Sequence, residues 1–69
     1  MNYLERLLKM EYGATIHLNW FEEGGAEVTR SLLGWELYEV PHYGGLPRFY
    51  NIYTEDNLQE LIEEVDSWT

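Results

Sequence analysis

The stretch Gly34–Tyr53, GWELYEVPHYGGLPRFYNIY, decides how the rest of the chain is organised. It contains two segments, 35–40 and 46–53, that are rich in Trp, Tyr, Phe, Val and Ile, the side chains that favour the pleated, half-buried surface of a β-sheet. Between them, Pro41 removes a ladder donor and the Gly-Gly pair that follows permits positive φ, so the chain can reverse direction. The stretch therefore predicts a β-hairpin.

Alternation along this hairpin leaves neither face of the sheet purely polar. In the first strand Trp35 and Leu37 are expected on one face and Tyr38 on the other, and in the second strand Tyr50 and Ile52 are expected opposite Phe49 and Tyr53. The aromatic side chains can stabilise the sheet simply as cross-strand pairs. Exposed aromatic clusters also mark interfaces, and we interpret the set as a binding surface. Its candidate partner-binding residues are Tyr38, His42, Tyr43, Phe49 and Tyr53.

A second hairpin is predicted before this stretch. Residues 15–20, TIHLNW, alternate cleanly and place Ile16, Leu18 and Trp20 on one face. A turn over 22–25 and a returning strand over 26–32 complete this hairpin. Gly34 then predicts a tight turn or bulge, which joins the two hairpins into a four-stranded antiparallel meander.

Two helices are predicted to flank the strands. Residues 2–11 have the spacing of a short amphipathic helix, with Asn2 as its N-cap and Gly13 ending it. Thr54 is predicted as the N-cap of a second helix. The apolar residues of that helix recur at helical spacing and are Leu58, Leu61, Ile62, Val65 and Trp68.

The predicted fold is α+β in the order αββββα, a single domain over residues 1–69. It has a four-stranded antiparallel sheet made of two hairpins, a short N-terminal helix and an acidic C-terminal helix. A domain of this size buries only about 60% of the surface that its unfolded chain exposes, and the sequence has no cysteine to form a disulfide. The predicted core comprises Leu4, Leu7, Leu8, Ile16, Leu18, Trp20, Val28, Leu58, Leu61, Ile62 and Val65.

The charge balance restricts the class of partner. Thirteen acidic residues against four basic ones give a formal net charge of −9. This argues against direct nucleic-acid binding, which needs Lys and Arg to displace counterions from phosphates. The first residues carry Glu5, Arg6 and Lys9 within their apolar run, so they lack the pattern of a signal peptide or a membrane span. We expect a cytoplasmic protein, in the host cytoplasm if it is encoded by a phage, whose partners are basic or neutral.

The C-terminal helix carries an unusual concentration of acidic residues, and no Lys or Arg follows Arg48. Like charges one helical turn apart repel each other, and anions near a helix C-terminus oppose the dipole. A solubilising surface is one explanation. The other is a negative surface that docks on a basic one. The candidate partner-binding residues of this helix are Asp56, Glu60, Glu63, Glu64 and Asp66.

Signatures of catalysis, metal binding and cofactor binding were not found. His17 and His42 have no metal-ligand spacing, and the glycine pairs lack a phosphate-binding pattern. An enzyme would need a ligand pocket near His42, Tyr43 and Arg48, where Arg48 could clamp an anion. A structural pairing of Arg48 with Glu39 is the alternative. We therefore predict no catalytic residue, metal or cofactor, and no enzymatic activity.

Two functions fit these features. Carboxylates at i, i+4 spacing rise about 6 Å per step, and duplex DNA has a phosphate about every 3.4 Å along each strand, so alternate phosphates could be imitated. Small, cysteine-free, acidic and aromatic-rich chains resemble in kind the anti-restriction, anti-CRISPR and glycosylase-inhibitor proteins of phages and mobile elements. The first hypothesis is therefore a DNA mimic that inhibits a nucleic-acid-handling protein. The alternative is a small homo-oligomeric interaction or structural module, such as a homodimer, that binds through its aromatic sheet face.

Overall fold

The computed structural model describes residues 2–21 and 24–68 and confirms the predicted α+β order αββββα. The sheet is antiparallel with the strand order β1-β2-β3-β4. No helix in the described part of the chain is both long enough and apolar enough to cross a membrane. The elements are α1 (Tyr3–Leu8), β1 (Thr15–Phe21), β2 (Gly24–Ser31), β3 (Gly34–Pro41), β4 (Phe49–Tyr53), a 3-10 turn (Glu55–Asn57) and α2 (Leu58–Asp66).

The first helix is shorter than predicted, and Gly13 does not end it. α1 ends at Leu8, and Gly13 instead adopts φ 88° in the turn that leads into β1, where its N–H donates to the Arg30 carbonyl at 2.8 Å. The N-cap prediction is confirmed, since Asn2 Oδ1 accepts from the Glu5 N–H at 2.9 Å. The helix therefore begins where its capping residue predicts and ends before the glycine.

The connections between strands also differ from their predicted bounds. Pro41 belongs to β3, where it pairs with Gly24, and the following connection runs over 42–48 because β4 begins only at Phe49. The predicted turn over 22–25 falls partly outside the described residues, and its two glycines belong to β2. Thr54 begins the C-terminal helical segment through its carbonyl, which accepts from the Asn57 N–H, and not through its side chain.

Both helices pack on one face of the sheet, which we call the inner face. The side chains of Leu18, Val28 and Leu37 are buried there beneath α1 and α2. None of the described elements covers the opposite, outer face. The buried core consists of Leu7, Leu18, Ala26, Val28, Trp35, Leu37, Tyr53, Leu58, Leu61 and Val65.

Three residues of the predicted core are instead exposed: Leu4 by 36%, Leu8 by 49% and Trp20 by 50%. Leu7 is the buried residue of the six-residue α1, and Tyr3 packs against the core beside it, whereas Leu4 and Leu8 remain at the surface. Ile16 and Ile62 pack against the core while staying partly exposed. The predicted core also omitted four residues that the structure buries, which are Ala26, Trp35, Leu37 and Tyr53.

A β-bulge explains why Trp20 leaves the core. Asn19 has φ 50°, and the pairing of β1 with β2 shifts register between Leu18 and Phe21. An extra residue in a strand reverses the direction of the side chains that follow it. The Asn19 side chain accepts from the Tyr3 hydroxyl at 2.6 Å and donates to the Val65 carbonyl at 3.3 Å, so the bulge also ties β1 to both helices.

Candidate partner-binding surfaces

The carboxylates of the C-terminal segment lie on the side of α2 that faces away from the sheet. The helix buries Leu58, Leu61 and Val65 against the core, and this leaves the polar positions outside. All of the predicted acidic residues are exposed except Glu64, which is partly buried. We define the acidic face as Asp56, Glu60, Glu63, Glu64 and Asp66.

Glu64 also has a structural contact within the acidic face. Its Oε2 accepts from Trp68 Nε1 at 2.7 Å, and the Trp68 ring packs edge-on against Phe49 with ring centroids 5.3 Å apart. These contacts fix the end of α2 to β4. Glu60, one turn before Glu64, and Glu63, directly before it, are exposed, so they are the better positions at which to test the charge of this surface.

A pair of tyrosines on a shared carboxylate occupies the outer face of the sheet. Tyr38 and Tyr50 are paired across β3 and β4 with ring centroids 4.9 Å apart. Both hydroxyls donate to Glu36 Oε1, at 2.8 Å and 3.3 Å respectively. Hydrogen bonds from Ser31 and from the two tyrosines lower the pKa of Glu36. The hydrogen bond to Glu36, together with partial burial, raises the pKa of Tyr38 to about 12.

We expect Tyr38 to ionise near pH 12 and to ionise at a lower pH in the Glu36→Gln variant. Because the folded-state pKa lies above the ordinary value of about 10, the contribution of Tyr38 to stability is complete below about pH 10. It is lost as the pH rises from about 10 to 12. NMR titration of the tyrosine ring carbons checks the prediction. A Tyr38 signal that titrates identically in both proteins would show that Glu36 is not the cause.

A second aromatic cluster lies on the outer face, beside the bulge. The Trp20 ring lies over Gly25, where an added Cβ would come within 2.1 Å of the ring, so only glycine leaves room for it. The His17 ring is 4.7 Å from Trp20, and the His42 ring stacks on Trp20 at 5.2 Å. His17 Nε2 also lies 3.9 Å from Glu27 Oε2. Sequence reasoning missed this cluster because it placed Trp20 in the core.

The structure divides the predicted aromatic surface between the two faces. Tyr38 is partly exposed on the outer face, and His42 and Tyr43 are exposed in the 42–48 connection. Tyr53 is only 6% exposed within the core, and Phe49 is partly buried on the inner face, so the expectation that these two share a surface with Tyr38 is wrong. The division follows from the alternation of side chains along β4, as the sequence predicted. Tyr50, which was predicted to face opposite to them, is the residue that accompanies Tyr38.

Arg48, the candidate anion clamp, lies in the 42–48 connection close to β3. Arg48 lies 3.4 Å from Glu39 Oε2, which confirms the structural pairing. A groove of about 320 Å³ lies between α1 and β1, on a different part of the molecule from His42, Tyr43 and Arg48. Among the described residues, no group of three or more His, Cys, Asp or Glu could hold a metal ion. The groove is lined by Arg6, Lys9, Met10, Glu11, Ala14 and Ile16.

The chain matches no known protein family, no curated protein and no solved structure. Inference about its function therefore depends on its own surfaces. Because α2 packs on the inner face, the acidic face and the outer aromatic clusters lie on opposite sides of the sheet. A flat partner surface would contact one of them and not both.

Proposed function

We propose that this protein is a non-enzymatic inhibitor that binds a basic surface of a nucleic-acid-handling protein, with the acidic face in the place of phosphates. One observation carries the proposal. The apolar residues of α2 are buried in the core, so its exposed side carries carboxylates. The segment that forms this helix contains no Lys or Arg that would neutralise them. Anti-CRISPR and anti-restriction proteins of phages are inhibitors of this kind, and action in the host cytoplasm is part of the proposal.

The electrostatics of α2 support a role in binding. Asp56 and Glu60 are one helical turn apart, and Glu60 and Glu63 are also neighbours on the helix surface, so their mutual repulsion costs the free protein some stability. A basic partner would replace this repulsion with attraction and would increase the association rate at low ionic strength. The interaction should weaken as salt screens the exposed charges.

Reversal of two charges on the acidic face is expected to weaken binding by about 10- to 100-fold. The test variant is Glu60→Lys with Glu63→Lys, and the matched control is Glu5→Lys with Glu27→Lys, which changes the net charge equally on other surfaces. The tagged wild-type protein captures its partner from a host lysate at low and at high salt, and the affinity of the purified partner is then measured for each variant. The control should bind within about threefold of wild type.

Two results would contradict the proposal. One is a partner that stays bound at high salt and binds both double variants equally. The other is a control that weakens binding as much as the test variant, which would show a dependence on net charge alone. Both substitutions relieve like-charge repulsion. Because Glu60 lies in the first turn of α2, where the helix dipole favours an acidic residue, the melting temperature of each variant is measured beside wild type so that loss of folding is recognised.

The second candidate function is a homo-oligomeric module that uses the outer face. The observation that favours it is the aromatic content of this uncovered surface, where Trp20 and Tyr50 are about half exposed. Exposed aromatic clusters of this kind are typical of interface cores. Replacement of Trp20 and Tyr50 by alanine would then abolish assembly, as measured by mass in solution, whereas the Glu60→Lys, Glu63→Lys variant would assemble normally.

A further inference from the structure

The turn between β2 and β3 consists of two leucines that project into solvent. Ser31 pairs with Gly34, and the two residues between them, Leu32 and Leu33, are 88% and 70% exposed. Turn positions favour Gly and Pro, whose backbone conformations suit a turn, and Asn, Asp and Ser, whose side chains hydrogen-bond to the nearby backbone. Leucine gains nothing from these positions in the free protein, since its side chain is neither buried nor hydrogen-bonded there. The leucines are therefore candidates for contact with another molecule.

The base of this turn is held in one conformation by Arg30. One of its guanidinium nitrogens donates to the carbonyls of Ser31 at 2.6 Å and Gly34 at 3.0 Å. The guanidinium also stacks on Trp35, 4.0 Å from the ring centroid, and on Tyr12 at 4.6 Å. A turn that is already ordered loses less conformational entropy when it binds. Leu32 and Leu33 are thus presented on a preorganised support.

The surroundings of the turn are apolar on one side and acidic on the other. Tyr12, which stacks on Arg30, is 68% exposed. On the other side, Gly34 lies against Tyr53 and Thr54, and a Cβ added at Gly34 would be 3.6 Å from the Thr54 Cα. The next two residues, 55 and 56, are exposed acidic residues that lead into α2. The apolar tip, defined as Tyr12, Leu32 and Leu33, therefore adjoins the beginning of the acidic face.

We propose that the apolar tip inserts into an apolar pocket of the partner protein, and that basic residues border this pocket where Glu55 and Asp56 approach it. The basic residues around the pocket are inferred from the proposed function, whereas the apolar pocket is inferred from the exposed leucines alone. In a two-fold symmetric dimer the same surface has to complement itself, and two convex tips do not. An anionic lipid surface would repel a chain with a net charge of −9. A concave protein pocket fits both the shape and the charge.

Photo-crosslinking at the tip tests the proposal. The full-length protein, with a diazirine analogue of leucine at position 33, is irradiated in a host lysate, and adducts are identified by mass spectrometry. We expect an adduct with one protein that excess unlabelled wild type suppresses. The unlabelled Leu32→Ser, Leu33→Ser variant should need at least tenfold more protein for the same suppression. The matched control Leu46→Ser, which alters a leucine that is 87% exposed in the 42–48 connection, should compete like wild type.

Several outcomes of the crosslinking experiment would overturn the proposal. Adducts with lipid alone, with a second copy of the chain alone or with no molecule would overturn the proposal, as would equal competition by the double serine variant. That variant should melt within about 4 °C of wild type, because exposed side chains contribute little to folding. If the Glu60→Lys, Glu63→Lys variant competes like wild type, the pocket is supported and the phosphate-mimic function fails.

Discussion

Replacement of Trp35 by alanine is expected to lower the free energy of unfolding by about 3–5 kcal/mol, as is typical for truncation of a large buried aromatic side chain. Trp35 is only 4% exposed and pairs with Tyr53 across β3 and β4. Its Nε1 donates to the Leu7 carbonyl at 2.7 Å, which fastens α1 to the sheet. The same ring supports the Arg30 guanidinium. Truncation therefore removes core volume, the attachment of α1 and the support of the β2–β3 turn together.

This loss is large compared with the total stability of the domain. At about 0.05–0.15 kcal/mol per residue, a chain of this length has roughly 3–10 kcal/mol to lose, so much of the variant population should be unfolded. Urea denaturation and near-ultraviolet circular dichroism measure the effect. Trp35→Phe is the control, because it keeps an aromatic ring and loses the donor to Leu7, at a cost of about 1–3 kcal/mol. A Trp35→Ala variant as stable as Trp35→Phe would contradict the prediction.

Replacement of Gly34 by alanine is expected to destabilise the fold by more than about 3 kcal/mol. Gly34 has φ 142°, a backbone conformation that side chains rarely adopt, and this strain alone costs of order 1–3 kcal/mol. An added Cβ would also lie 2.2 Å from the carbonyl oxygen of Tyr53. That oxygen belongs to the backbone, so β4 would have to move away from β3 to relieve the contact.

Gly44 provides a matched control for this substitution. It also has a positive φ, of 86°, but an added Cβ would meet no atom within 4 Å. Gly44→Ala should therefore cost only about 1–2 kcal/mol, from backbone strain. Thermal unfolding of the two variants beside wild type separates strain from collision. Equal melting temperatures for Gly34→Ala and Gly44→Ala would show that the contact with Tyr53 is not decisive.

The class and order of the fold could be predicted because local patterns agree with the tertiary structure. Alternation places Leu18 in the first predicted strand and Ala26 and Val28 in the second on a face that the structure buries, and helical spacing from Leu58 onwards does the same for α2. The Asn2 cap was readable for the same reason, since its hydrogen bond is to the N–H of a residue three positions later. Local signals of this kind depend little on the rest of the chain.

The errors arise where a long-range contact overrides a local pattern. Trp20 continues a clean alternation, but the bulge at Asn19, fixed by contacts with Tyr3 and Val65, turns it outward. Asn is one of the few residues that tolerate a positive φ, so its position before Trp20 was a weak signal. Trp35 and Leu37 were assigned to a common face, but that face could be recognised as the inner one only after α1 and α2 were placed on it.

Part of the candidate binding surface could also be predicted. The acidic positions of α2 follow directly from its apolar spacing, and the structure leaves them outside. The outer cluster around Trp20 could not be assembled from sequence. His17 and Trp20 share a face of β1 only because of the bulge between them, and His42 comes from the 42–48 connection. Leu32 was the last residue of the predicted strand and Leu33 followed it, and only the observed turn at 32 and 33 shows that both are exposed.

The bulge at Asn19 has a further consequence for the behaviour of this protein at high concentration. β1 and β4 are the outermost strands, and exposed strand edges can recruit other chains into aggregates. The bulge interrupts β1 after its first four residues, and β4 is only five residues long. Neither edge offers a long regular row of hydrogen-bonding groups to an incoming strand. The same irregularity that exposes a tryptophan therefore protects an aromatic-rich sheet against edge-to-edge polymerisation.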